Sequence, residues 1–261
     1  MSEFATLRVD RSDNAFVITL NRPESRNAIS VAMMTELVAA LDQAGERRTA
    51  SAVIITGGSQ FFSSGRDLKE VAANTDKSSV AAARAAWLAV TASIECCAKP
   101  VVAAIEGSCL TGGLELALAC DMRIAGEGAS FGITSARLGT LPAFGATQRL
   151  PRLVGASNAL GMLFLADPIE VDEAHRIGLI NRKTARGEAL GESLRIAETI
   201  AQRAPLSLAT MKKAVYGGLS MPLGEAIEWE FALGASLSGS RDRKEGIAAF
   251  AEKRKPRFTG E

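Results

Sequence analysis

One pattern occurs twice and limits what this chain can become: VIITGGSQFFSSGRDL begins at Val53 and VVAAIEGSCLTGGLEL at Val101, an offset of 48 residues. Each copy runs from an apolar stretch of strand length, through a turn of small residues, into a helix start. Unbroken apolar runs bounded by glycine suit strands buried on both faces. A strand, turn and helix that recur at fixed spacing stack β/α turns on one another. Identity between the copies is slight, so the repetition is architectural.

The surrounding segments extend this reading. Residues 14–20, 52–57, 100–106, 121–125 and 177–181 read as strands. Residues 30–48 have helical periodicity opened by Ser30 as an N-cap, and 67–73 and 78–97 also read as helices. After about residue 187 the pattern is helical throughout, with helices predicted at 188–203, 206–216, 222–237 and 241–252. Pro205, Gly217–Gly218 with Pro222, and the SGS at 238–240 separate them. The expectation is an α/β core over 1–200 followed by a helical region over 201–261.

A chain of 261 residues can bury a substantial core. With 30 basic against 29 acidic residues it has almost no net charge, which argues against a broadly polyanion-binding surface and against nucleic acid as a partner. No apolar run reaches the roughly 18–20 residues that span a bilayer, so no membrane association is expected. The four cysteines, at 96, 97, 109 and 120, form no CxxC pair, and the N-terminus lacks a basic segment followed by an apolar core. A reduced, cytoplasmic setting is the expectation. The single histidine, His175, sits in a helical pattern with no nucleophile or metal-ligand partner nearby, and no GxSxG elbow is present. Serine hydrolysis and metal hydrolysis are both disfavoured, and no metal site is expected.

Chemistry concentrates at the two turns. A helix starting at Gly112 or Gly113 offers unpaired N–H groups and the positive end of its dipole, and SSGRDL places Gly65 and Arg66 before another helix start. Two such turns can aim amides at one point, the usual device for holding a carbonyl oxygen that becomes anionic. Glu115 falls one turn into the second helix, inside a run otherwise made of small and hydrocarbon residues. It reads either as a helix-start residue reaching back to an N-cap at Gly112 or as an acid placed beside the amides.

Three stretches carry a resemblance: VIITGGSQFFSSGRDLKE, KPVVAAIEGSCLTGGLELALACDMRIAGEGASFG and LGTLPAFGATQRLPRLVG. Together with NRPESRNAIS near the N-terminus and RDRKEGIAAFAEKRKPRF at the C-terminus, they resemble the enoyl-CoA hydratase/isomerase (crotonase) superfamily over nearly the whole chain. The resemblance implies an α/β fold, a spiral of ββα turns with a helical C-terminal trimerisation region, assembled as a homotrimer or a dimer of trimers. It implies an acyl-CoA thioester as substrate, with coenzyme A entering as part of it and no separate cofactor. It implies that the backbone N–H groups of Arg66 and Gly112 hold the thioester oxygen and that Glu115 is an acid/base carboxylate. Arg26, Ala28, Ser64, Asp67 and Leu68 match segments lining the coenzyme A path. Phe250 and Lys253 match a C-terminal segment that reaches a neighbouring subunit's ligand.

The pattern departs from that family at three places. Hydratases of the family carry a second glutamate twenty positions after the first, where this chain has Ser135, a residue able to orient water but a poor base. Arg66 occupies a variable position, its side chain either solvated or turned inward toward the acyl chain, where it would favour a carboxylated or hydroxylated substrate. Phe144 replaces smaller residues and either narrows the acyl pocket or packs in the core. Residues 241–258 carry seven basic side chains against three acidic ones, as a solvated helix face or as a phosphate contact. Enoyl-CoA hydration is the leading expectation. An isomerase or carbon–carbon lyase sharing the enolate is the enzymatic alternative, and a catalytically weak acyl-CoA- or RNA-binding protein is the non-enzymatic one.

Overall fold

The computed structural model describes residues 4–46 and 50–261. Its main sheet has the order β1-β2-β3-β4-β6-β9, from Leu7–Arg11 (β1), Ala15–Leu20 (β2), Ala52–Thr56 (β3), Val101–Ile105 (β4), Met122–Gly126 (β6) and Arg182–Thr184 (β9). Only β1 and β2 pair antiparallel; every other neighbour is parallel. A smaller sheet contains Ser108–Leu110 (β5), Ser130–Gly132 (β7) and Ile169–Glu170 (β8).

Every residue of β2, β3 and β4 is buried, because the sheet is covered on both faces. Phe16, Ile18, Val53, Ile55, Val101 and Ala103 project to one face, into the core that also takes Met33, Leu37 and Leu41 of α1 (Val31–Glu46) and Trp87, Val90 and Ile94 of α3 (Lys77–Cys96). Their neighbours Ala15, Val17, Ala52, Ile54 and Ala104 project to the other and meet Ala189 and Ala197 of α8 (Ala189–Ile200). The period of two along each strand therefore assigns residues to the two layers.

The repeated unit is a turn of a spiral, and it occurs more often than the sequence pattern discloses. In each turn a main-sheet strand leads to a short segment in the second layer and then to a helix: β3 to 63–66 to α2 (Leu68–Ala73), β4 to β5 to α4 (Gly112–Ala119), and β2 to 27–29 to α1. The second-layer segments lie side by side, with bridges between Ile29 and Arg66 and between Ser63 and Cys109. Asn27, buried and at φ 54°, ties two of these turns together by donating from Nδ2 to the carbonyls of Gly57 (3.0 Å) and Phe62 (3.2 Å).

The expected strand at 177–181 is a turn instead. Gly178, at φ 79°, ends α7 (Val171–Arg176), and the amides of Leu179 and Ile180 return to the carbonyl of Ala174. Leu179 and Ile180 are apolar because the turn packs into the core, and the strand starts later, at Arg182. Two helices not read from the sequence, α5 (Ala146–Val154) and α6 (Ala156–Leu165), lie between the spiral and that turn. His175 is exposed in the last turn of α7.

The C-terminal region is helical, as expected: α9 (Pro205–Gly218), α10 (Leu223–Ser236) and α11 (Arg241–Ala251). Asp121, two residues after the end of α4, anchors α9 by accepting from Lys212 Nζ and Tyr216 Oη, both at 2.8 Å. Otherwise α9 and α10 bury no side chain, and they expose Met211, Val215, Leu219, Ile227 and Phe231.

Candidate active site

All eight residues of α4 are buried, and Glu115, 1% exposed, is its one ionisable side chain. A helix with no polar face belongs inside a protein, and its carbonyl end needs donors there. Arg123, itself buried, supplies them: Nη1 donates to the carbonyls of Cys120 (2.8 Å) and Ala117 (3.3 Å), and Nε to that of Leu179 (2.7 Å).

The other end of α4 is aimed by a strained residue. Thr111, the N-cap, has φ 43° and ψ −109°, a conformation costly for a β-branched residue. Four contacts hold it: its amide donates to Gly132 O (2.7 Å), its carbonyl accepts from Glu115 N (2.8 Å), and its hydroxyl meets Thr134 Oγ1 (3.0 Å) and Thr134 N (3.3 Å). Gly112 follows as the first helical residue, so its N–H has no partner within the helix.

The second amide comes from the neighbouring turn. Gly65 O and Asp67 N both bond Ile29, which turns the N–H of Arg66 to the opposite side, toward α4. A β-carbon placed on Gly112 would lie 3.1 Å from Arg66 N, so the two amide-bearing turns are in contact and only glycine leaves the space between them open. Gly112→Ala is expected to push these turns apart by a few tenths of an ångström and to lower kcat about 10- to 100-fold with little change in KM. The steady-state parameters of the variant measure this, and the reasoning is that a misplaced donor loses part of its transition-state stabilisation, ~1.4–2.7 kcal/mol.

Glu115 does not reach back to Gly112. Its Oε1 accepts from Phe144 N (2.9 Å) and Ala146 N (3.1 Å), at the start of α5. Burial raises its pKa, the two amides, Arg149 and Arg66 lower it, and the balance leaves it raised to about 7. Because both bonds fall on Oε1, Oε2 is the oxygen left for proton transfer. Phe144 is fixed in turn: its carbonyl accepts from Trp87 Nε1 (2.8 Å) and its ring stacks on Trp87 with centroids 4.5 Å apart. It therefore packs at the edge of the core and lines the site at once. The guanidinium of Arg66 also lies over this ring, 4.9 Å from its centre, so the side chain of Arg66 turns inward.

The remaining sequence-derived residues fall into two groups. Arg26, Ala28, Ser64, Asp67 and Leu68 lie together beside Arg66, joined by Ser64 N to Arg26 O (3.0 Å) and Asp67 N to Ile29 O (3.0 Å). The carboxylate of Asp67 is consumed within the protein, capping α2 and pairing with Arg22 at 2.9 Å. Phe250 and Lys253 are exposed at the end of α11 and make none of the contacts around Glu115. Much of the basic tail is internally paired, Arg254 with Glu245 (2.6 Å) and Glu252 (2.6 Å). Ser135 is buried one residue after Thr134, opening a single 3-10 turn. Sequence reasoning missed Asn27, Thr111 and Trp87, whose roles come from conformation and from long-range contacts.

A two-layered spiral that sets two amide-bearing turns in contact beside a buried carboxylate is the architecture of the crotonase fold. The comparisons agree. A family model for enoyl-CoA hydratase/isomerase matches residues 10–261. The chain is 36% identical to a probable mitochondrial enoyl-CoA hydratase of Dictyostelium discoideum, covering 97% of this chain and 91% of that one. It is also 36% identical to the 2,3-dehydroadipyl-CoA hydratase of Escherichia coli, covering 97% and 98%. The crystal structure of an enoyl-CoA hydratase from Bacillus anthracis superposes with a TM-score of 0.93 at 36% identity, over 98% of this chain and all of that one. The chain belongs to the enoyl-CoA hydratase/isomerase family.

Proposed function

We propose that this protein hydrates the double bond of an enoyl-CoA thioester. The observation that carries the reading is the contact of the Arg66 and Gly112 turns one helical turn from a buried carboxylate whose Oε1 is pinned by two amides. Coenzyme A enters as part of the substrate, along the segments of Arg26, Ala28, Ser64, Asp67 and Leu68.

In this reading the thioester oxygen sits between the amides of Arg66 and Gly112. Water adds its oxygen to C3 while ionised Glu115 takes its proton through Oε2, and the double-bond electrons move onto the thioester oxygen. The enolate then collapses and Glu115 returns a proton to C2, so one water is added and the carboxylate is regenerated. A pKa near neutrality suits a group that must both accept and give a proton. Ser135 orients the water. The same enolate with no water admitted gives double-bond isomerisation, and the lack of a second carboxylate at Ser135 is what favours that alternative.

Incubation with enoyl-CoA thioesters of graded chain length, with products identified by mass, separates the two. Hydration adds 18 Da, about one water, whereas isomerisation leaves the mass unchanged. Ser135→Glu is expected to raise hydration about tenfold if the second carboxylate is what limits the native reaction. Loss of all product formation in both proteins would refute the proposal.

The same reading includes self-association through the C-terminal helices, as a trimer or a dimer of trimers. The apolar side chains exposed on α9 and α10 support it, since a large contiguous apolar surface marks a contact site. Placement in the cytoplasm is part of the proposal, supported by four free cysteines. Among the described residues, no helix is long and apolar enough to cross a membrane.

A further inference from the structure

Arg66 contributes an amide to the site, but its side chain has no assigned task there. The stem passes over the start of α4, with Cγ 3.3 Å from where a β-carbon on Gly112 would lie, and the guanidinium comes to rest on Phe144. Nε is shielded from solvent and has no hydrogen-bond partner among the described residues. An unpartnered donor on a charged group is costly to bury, and stacking on an aromatic ring satisfies only the face of the guanidinium. Its N–H groups lie in the plane, where the ring cannot reach them.

Neither nearby carboxylate, Glu115 nor Glu70, accepts a hydrogen bond from Arg66. Oε1 of Glu115 holds the amides of Phe144 and Ala146. Glu70 places both oxygens on the amide of Val31, at 3.0 and 3.2 Å. Between α2 and α3, and opening onto Arg66, is a cavity of about 270 Å³ whose other walls include Val71, Asn74, Ser79 and Val80. Its walls are part apolar and part polar, and Arg66 is the one cation among them.

We propose that Arg66 selects acyl-CoA thioesters whose short acyl chain carries a carboxylate, binding that carboxylate with the in-plane N–H groups of its guanidinium in the cavity between α2 and α3. The inference rests on the acyl-CoA reading above and adds the substrate class. A carboxylate matches the planar fork with two parallel bonds, which a methyl terminus cannot make. The acyl chain is short because the cation starts from the residue whose amide faces the thioester oxygen and ends beside the proton-transfer group. Few carbons fit between them.

The test measures binding and turnover separately. Glutaryl-CoA and butyryl-CoA differ only by the terminal carboxylate, and neither can be hydrated. By calorimetric titration the wild type is expected to bind glutaryl-CoA 10- to 100-fold more tightly, the range of one charge-assisted contact. Arg66→Met is expected to abolish or reverse that preference, and Arg66→Lys to retain part of it. In turnover, the ratio of kcat/KM for glutaconyl-CoA over crotonyl-CoA should fall by the same factor in Arg66→Met. Thermal unfolding of both variants establishes that they are folded. Equal binding of the two saturated thioesters by the wild type, or a preference that survives Arg66→Met, would overturn the inference. A binding preference without turnover of either enoyl thioester would instead remove the hydratase reading and leave this one standing. Hydration of crotonyl-CoA with no preference would do the reverse.

Discussion

Glu115→Gln is expected to reduce turnover of an enoyl-CoA thioester about a thousandfold and, at pH 8, to make the protein harder to unfold. The first effect follows from removing the group proposed to transfer the proton, a loss of roughly 10²–10⁴ for a positioned acid or base. The second follows from the same burial that tunes it. In the folded chain the carboxyl is raised from 4.5 to about 7, chiefly by desolvation. The folded state therefore holds a proton that the unfolded chain has released between those values, and stability falls as pH rises through that window. Above pH 7 the full cost is present, about 3 kcal/mol at 1.36 kcal/mol per unit. Glutamine keeps an oxygen for the amides of Phe144 and Ala146 but carries no charge at any pH. The difference in Tm between variant and wild type should thus be near zero at pH 4.5 and reach several degrees at pH 8. In the wild type, kcat/KM should drop tenfold per unit as pH falls well below 7. Unchanged activity in the variant removes the catalytic assignment; a Tm difference independent of pH removes the buried charge.

Arg123→Met should have the largest effect on stability, a loss of ~3–5 kcal/mol with Tm lowered on the order of 10 °C. Methionine fills much of the space of the stem but leaves the carbonyls of Ala117, Cys120 and Leu179 without the donor they share. Two of these carbonyls close the C-terminal end of α4, so the loss falls on the helix that carries Glu115. Thermal unfolding at fixed protein concentration measures it. A fall of less than about 1 kcal/mol would mean that the carbonyls find other donors.

How much of this was legible depended on the range of the interaction. Strands β3 and β4 could be read because burial on both faces writes itself as an unbroken apolar run. Residues 177–181 carry the same apolar signal from a different cause, a turn that packs Leu179 and Ile180 into the core, and were misread as a strand. Strands β5 and β7, at three residues each, are too short to leave a period. At the site, the glycines and the lone carboxylate stood out because each is improbable in its setting. The amides that bind Glu115 belong to residues 29 and 31 positions away, a relation no local pattern records. The choice between a solvated and an inward Arg66 was likewise open until Phe144 and Trp87 were placed together.

Phe144 has its amide on the acid, its carbonyl on Trp87 and its ring beneath Arg66. The proposed recognition of the acyl group and the readiness of the carboxyl to release hydrogen thus pass through a single residue. A substitution there cannot be sorted into one that alters affinity and one that alters rate, so evolution or engineering of a new substrate preference in this scaffold must retune its acidity in the same step.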